Sequence, residues 1–178
     1  MHILDIVQNS VSANATEIKI DIKESVNRNL LKITVADNGC GMDEEFLKNV
    51  TDPFTTTRST RKVGLGIPLF KLAAEQAGGC FDIKSQKGVG TEVMAEFEYD
   101  NIDRSPIGDM AGTIVSLISV NETVDFVYSH CTDKGEFIFD TKEIRNTLGD
   151  VPLSEYEVLN WIEGYINEGI MSIEATTY

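Results

Sequence analysis

A chain of 178 residues with 29 acidic and 15 basic side chains, net −14, is sized for one core-forming domain and a small appendage. That charge disfavours a nucleic-acid binder, which needs clustered Lys and Arg, and no apolar run approaches the ~20 residues that span a bilayer. Hydrophobic content of 42% with 25% charged residues is that of a soluble globular protein. The opening residues lack the basic and apolar regions of a signal peptide. Three widely spaced cysteines (Cys40, Cys80, Cys131) with no Cys-x-x-Cys pair indicate a reducing cytoplasm rather than a disulfide framework or zinc site.

Residues 2–14 read as a helix, with Ile3, Ile6, Val7, Ser10 and Val11 on one face and Asp5, Asn9 and Ser12 on the other. A hairpin follows, Glu17–Lys23 and Leu30–Ala36, turning at Asn27-Arg28-Asn29. Asp43 is placed to cap a short helix through Val50, with Glu44 and Glu45 in its first turn. Residues 51–63 have neither periodicity and read as a loop of the length that forms functional lids. The next helix is predicted from about Ile67 to Ala77, ending at Gly78-Gly79, with strands Cys80–Ser85 and Thr91–Tyr99 after it. This order predicts helices packed on one face of a mixed sheet.

Residues 101–112, with Pro106, Gly108 and Gly112, read as a connector between a first domain (1–100) and a C-terminal extension (113–178). Around and beyond it the pattern gives a helix at about Met110–Val120 and a hairpin of Thr123–Tyr128 and Glu136–Asp140. A short helix, Lys142–Leu148, and a final one, Glu155–Glu168, complete the chain. Ser154 and Glu157 have the spacing of a capping box for the last helix, and Gly169 is placed to end it. The two parts differ in charge. Residues 1–91 hold 11 acids and 11 bases, whereas residues 92–178 hold 18 acids and 4 bases. Lys48, Arg58, Arg61, Lys62 and Lys71 share a window whose only acid is Asp52, a local basic patch suited to a small polyanion such as a nucleotide phosphate.

Three stretches carry chemistry. Asp37-Asn-Gly39-Cys-Gly41-Met42 follows an alternating strand. Its glycines let the backbone come close to something flat, leaving the carboxylate to accept a hydrogen bond from an exocyclic amine such as adenine N6. Asp5 and Asn9, four apart on one helix side, offer a carboxylate to orient a water and an amide oxygen for a hard cation such as Mg²⁺. Gly64-Leu65-Gly66-Ile67 opens a helix whose exposed N–H groups and dipole suit phosphate. The Gly-Lys-Ser/Thr of a Walker loop is absent, and Leu69 stands where a dinucleotide fingerprint needs a third glycine. Alone, each stretch also has an ordinary reading as a turn, a polar helix face or a helix start.

Together they resemble the GHKL family of DNA gyrase B subunits, MutL proteins, heat-shock chaperones and histidine kinases. Asp5-Ile-Val-Gln-Asn9-Ser-Val is similar to that family's Asn-bearing first helix, and Asp37–Met42 to its adenine box. Asp52-Pro-Phe54 precedes the lid as in histidine kinases. Gly64–Ile67 is similar to the second glycine box, and Gly90-Thr91 to the closing Gly-Thr. The resemblance covers residues 2–98 and implies an α+β fold, a two-layer α/β sandwich with a mixed sheet, plus a small α/β C-terminal extension. It also implies an ATP and Mg²⁺ site. Asn9 would hold Mg²⁺; Asp37, Gly39, Gly41, Met42 and Thr91 would surround the adenine. The lid residues Thr56, Thr57 and Arg58 and the amides of the turn Gly64, Leu65, Gly66 and Ile67 would hold the phosphates, with Phe54 also at the ATP site. Asp5 stands where hydrolytic members carry a longer Glu base, and Ser12 fits neither the histidine-kinase nor the gyrase pattern.

The functions implied are a slow ATPase acting as a regulatory or accessory switch, a protein kinase like anti-sigma-factor kinases or a detached histidine-kinase catalytic domain, or a nucleotide-sensing module without turnover. A protein partner is expected at the acidic extension. The opening His2–Ser10 also resembles small stand-alone ATP-binding proteins encoded beside hydrogenase-type redox subunits. His2 lacks the helical surroundings of a phosphoacceptor, His130-Cys131 reads as a hairpin end rather than a metal pair, and Trp161, Tyr165 and Ile166 read as core.

Overall fold

A computed structural model of the protein describes residues 3–51 and 65–176. Six strands form one mixed sheet in the order β3-β4-β2-β1-β5-β6: β1 (Glu17–Ser25), β2 (Leu30–Asp37), β3 (Phe81–Gln86), β4 (Gly90–Glu98), β5 (Asp125–Cys131) and β6 (Glu136–Asp140). All neighbours run antiparallel except β1 and β5. The helices are α1 (Ile3–Ser12), α2 (Glu44–Asn49), α3 (Gly66–Gln76), α4 (Met110–Val120), α5 (Thr141–Leu148) and α6 (Tyr156–Ser172). The fold is the expected two-layer α+β arrangement.

The period-2 alternation of the strands explains how the core is made. Val93, Val35, Ile20, Tyr128 and Phe139 follow one another across five strands in a single register row, and all are buried. Their neighbours along each strand, such as Lys19, Asp21, Lys32 and Glu92, point to the other face. Ile6, Phe70, Ile114 and Ile162, one from each of α1, α3, α4 and α6, complete one continuous hydrophobic cluster with the sheet. At ~25 cal/mol per Å² of apolar surface buried, this cluster is the main source of stability.

The C-terminal hairpin is continuous with this sheet. β5 pairs with β1 from Glu17↔Asp125 to Lys23↔Cys131, so the strands on both sides of residues 101–112 share one core. Further ties hold the two parts together. Asp133 accepts hydrogen bonds from Ser25 Oγ (2.7 Å) and the Asn27 amide (3.1 Å), and Lys142 pairs with Glu17. His130, at the end of β5, is buried. Its Nε2 lies 2.6 Å from Glu24 Oε1 and its Nδ1 lies 2.7 Å from the Tyr128 hydroxyl. The Thr176 amide donates to the same Glu24 oxygen at 3.1 Å, anchoring the end of the chain to β1.

Several boundaries differ from the sequence reading. β5 begins at Asp125 rather than Thr123 and runs on to Cys131, because pairing with β1 continues to Lys23. The Ser154–Glu157 capping box does not form: α6 is capped by Glu155 with no side-chain bond. Gly169 does not end α6, which continues to Ser172; a Cβ there would fall on the Phe137 ring. That glycine serves close helix–sheet packing. Trp161 and Tyr165 lie on the exposed side of α6, and Ile166 alone of the three is buried.

Candidate functional site

At one end of the sheet the inward-facing register turns from apolar to polar. Asp37, the last residue of β2, lies directly opposite Thr91 of β4, and Thr91 lies opposite Ser85 of β3. The same row continues on the other side as Ile18 and Phe126. Three polar side chains therefore stand side by side, next to a hydrophobic row of Ile83, Val93, Val35 and Ile20. Thr91 Oγ1 and Ser85 Oγ are 2.8 Å apart, and Ser85 Oγ accepts the Met42 amide at 2.8 Å. Asp37 is held by two donors. The Ser10 hydroxyl of α1 donates to its Oδ2 at 2.7 Å, and the Gly39 amide donates to its Oδ1 at 2.8 Å. A carboxylate so oriented keeps further lone-pair directions for an incoming donor.

Above this row lies a cavity of about 280 Å³. Asn9, Asp37, Gly41, Met42, Ile67 and Thr91 all line it, with Ile6, Val50 and Val93 among its apolar walls. Apolar walls with one fixed carboxylate suit a flat heterocycle that donates from its edge. Asn9 projects into the cavity from α1, and its Nδ2 is buried without a hydrogen-bond partner. An unpaired buried amide costs about 1–3 kcal/mol, a cost that a polar ligand relieves.

Of the other residues singled out in the sequence, Asp5 lies one turn before Asn9 on α1, outside the cavity lining. Leu65 and Gly66 form the N-terminus of α3 beside it. Phe54, Thr56, Thr57, Arg58 and Gly64 lie outside the described residues. The glycines need explaining differently from the sequence reading. Gly41 has φ +60°, and a Cβ there would overlap the Gln86 carbonyl. A Cβ on Gly66 would come 2.7 Å from Asp5 Cβ, and one on Gly39 would come 2.8 Å from the Ala13 carbonyl oxygen. Their missing side chains face protein: they let the box lie against the β3–β4 turn and let α3 approach α1.

Three residues of the site escaped the sequence reading. Ser10 was assigned to the apolar face of α1; it is on that face, and buried there it orients Asp37. Ser85 closes a strand and bridges the box to Thr91. Asn38 Oδ1 accepts the amides of Thr16 and Glu17 at 2.8 and 3.0 Å, while its Nδ2 donates to Thr16 Oγ1 at 2.9 Å. Asn38 thus clamps the box to the start of β1. A hydroxyl placed among apolar helix positions is the signal that could have found Ser10.

Among the described residues no group of three or more His, Cys, Asp or Glu side chains is placed to hold a metal ion, and no helix is long and apolar enough to cross a membrane.

A strand-end carboxylate, an Asn-bearing helix and glycine turns around one cavity are arranged as in ATPase domains of the Bergerat type. Residues 2–101 match the family described as histidine kinase-, DNA gyrase B-, and HSP90-like ATPase, and the chain belongs to that family. Within it, the chain is similar to proteins described as sensors and as sensor histidine kinases. A Shewanella frigidimarina protein described as a sensor is 33% identical over 97 residues, covering 53% of this chain and 15% of that protein. Sensor protein SrrB of Staphylococcus aureus is 36% identical over 80 residues, 42% of this chain and 13% of its own. A sensor-like histidine kinase of Rhizobium meliloti is 28% identical over 103 residues, 55% and 20% of the two chains. The chain therefore spans only about a fifth or less of the length of these relatives. The N-terminal domain of a DNA repair protein is similar in fold, with TM-score 0.52 and 15% identity over 84% of this chain and 56% of that one.

Proposed function

We propose that the protein binds Mg-ATP in the cavity over the Ser85–Thr91–Asp37 row and acts as a nucleotide-dependent regulatory or accessory switch with slow hydrolysis. The observation that carries this reading is the single cavity shared by Asn9, Asp37, Gly41, Met42, Ile67 and Thr91. The adenine N6 amine donates to Asp37, held in place by Ser10 and Gly39, while Thr91 and Ser85 fix the polar edge beside it. Guanine presents a carbonyl at the equivalent position and meets the carboxylate as acceptor against acceptor, so the site selects adenine.

The residues present fit the cation. Asn9 lines the cavity with a buried, unpartnered Nδ2; turned end for end, the side chain offers a carbonyl oxygen, the donor that Mg²⁺ prefers. Bound there, Mg²⁺ supplies neutralisation of phosphate charge. The N-terminus of α3, at Gly66-Ile67, offers N–H groups and a dipole to the phosphates, joined in this reading by Gly64, Thr56, Thr57 and Arg58. Asp5, packed against Gly66, stands beside that helix start as the group that orients an attacking water. Its reach is one methylene shorter than that of a Glu, consistent with slow turnover.

A second reading, protein kinase, is favoured by the likeness of residues 2–101 to the ATP-binding part of sensor kinases. Incubating the protein with γ-labelled ATP separates the two readings. Label released as phosphate supports the switch, and label retained on a protein in a cell lysate supports the kinase. On either reading the acidic C-terminal part, residues 113–178, is where we place the protein partner.

A further inference from the structure

Between α5 and α6 lies a groove of about 320 Å³ lined by Ile144, Thr147, Leu148, Glu157, Val158 and Trp161. Ile144 and Leu148 are one turn apart on α5, and Val158 and Trp161 one turn apart on α6, so two apolar helix edges face a shared trough. Trp161, the protein's single tryptophan, is 53% exposed. It is nevertheless held in place. Its ring stacks on Tyr165 at 5.2 Å with an interplanar angle of 9°, and Tyr165 meets the Phe137 ring of β6 edge-on at 5.6 Å. An aromatic anchor fixed in advance loses little conformational entropy on binding, and such residues dominate interface energies.

Charge decides what suits the trough. Residues 146–178 contain Asp150, Glu155, Glu157, Glu163, Glu168 and Glu174 and no Lys or Arg. Glu157, Trp161, Tyr165 and Glu168 fall along one side of α6 at spacings of four, four and three, so the aromatic pair is bracketed by carboxylates. The two cations of α5 are engaged toward the sheet, Lys142 with Glu17 and Arg145 with Asp125. An acidic rim repels nucleic acid and anionic lipid, and a trough between two helices takes a third helix.

We propose that the α5–α6 groove docks a basic amphipathic helix of a partner protein, with an apolar side chain seated against Trp161 and Leu148 and Lys or Arg side chains meeting Glu157 and Glu168. This rests on the reading of residues 113–178 as the partner-facing part of the protein, and it names the surface and the chemistry of what binds there.

The test uses the full chain and a labelled Lys/Leu amphipathic helix of about 14 residues as probe, with a Glu/Leu helix of the same pattern as its opposite. The Lys/Leu probe shifts the fluorescence of the lone tryptophan saturably and loses affinity toward about 1 M salt, where the screening length falls to ~3 Å. Trp161→Ala and the pair Glu157→Lys, Glu168→Lys each weaken its binding about tenfold or more. Reversing the distant Asp100 and Asp103 leaves it within about twofold. Equal binding of the Glu/Leu helix, equal loss from the distant reversal, or no loss from the groove variants overturns the proposal. So does concentration-dependent dimerisation abolished by Trp161→Ala, which assigns the groove to a second copy of the chain. The Mg-ATP shift in melting temperature is read on every variant. A retained shift with no groove effect rejects the groove alone, and a lost wild-type shift with intact probe binding rejects only the nucleotide reading.

Discussion

Asp37 and Thr91 face each other across β2 and β4 in a register row where the buried face of the sheet becomes polar. Ser10, reaching down from α1, fixes the carboxylate from above at 2.7 Å. A buried hydroxyl and a strand-end carboxylate 27 residues apart thus form one unit, and the nucleotide reading is built on it.

Ser10→Ala removes a donor to Asp37 without changing the cavity wall greatly. Loss of one hydrogen bond to a charged group costs about 1.5–3 kcal/mol. ATP affinity measured by isothermal titration is expected to fall about tenfold or more, while the far-ultraviolet circular dichroism stays unchanged. Ser10→Thr, which keeps the hydroxyl, is expected to retain more of the affinity than Ser10→Ala.

The glycines divide by what surrounds them. Gly41→Ala combines φ +60° with overlap on the Gln86 carbonyl, so strain of ~1–2 kcal/mol adds to overpacking of about 1–3 kcal/mol. Gly88 has φ +78° but nothing within 4 Å of a new Cβ; Gly88→Ala is expected to show the strain alone. Urea-denaturation midpoints of the two variants measure the difference. Equal losses would assign the whole effect to backbone conformation.

Glu24 links stability to pH. Burial by itself raises its pKa, but the hydrogen bonds from His130 and Thr176 outweigh burial and hold it below its ordinary 4.5. The folded state therefore binds this proton more weakly than the unfolded chain. Its contribution is complete above the unfolded value and is lost as the pH falls through the lower folded value. Urea midpoints taken from pH 7 down to pH 3 are expected to fall more steeply in the wild type than in Glu24→Gln. The variant is expected to be less stable at neutral pH, since a neutral amide oxygen accepts the bonds from His130 and Thr176 more weakly than a carboxylate does.

Much of this was legible from the letters. Alternation set the inward face of β1, β2 and β4, and Asp43 does cap α2 through the Phe46 amide. Gly78 at φ +71° does follow the end of α3. What sequence reading missed is non-local. The pairing of β5 with β1 joins residues more than 100 apart, so nothing in either segment announces that the C-terminal hairpin extends the same sheet. Gly169 carries a helix-end signal that packing overrides, because Phe137 on β6 occupies the space its side chain would need. The glycines of the adenine box suggest room for a ligand, and the space a Cβ would take at Gly39 and Gly41 is filled by the protein itself, as it is at Gly66 at the start of α3.

Asp5→Asn tests the proposed water-orienting role separately from binding. Phosphate release is expected to fall about 100-fold or more, with the Mg-ATP melting shift preserved. Unchanged turnover would remove Asp5 from the chemistry and leave the site as a sensor.

The most direct test of the account is isothermal titration of wild type and Asp37→Asn with Mg-ATP and Mg-GTP. The expected result is ATP binding by the wild type, at least about tenfold weaker binding of GTP, and loss of ATP binding in Asp37→Asn with the fold intact. Equal affinity for the two nucleotides, or undiminished ATP binding by Asp37→Asn, would contradict an adenine held by that carboxylate.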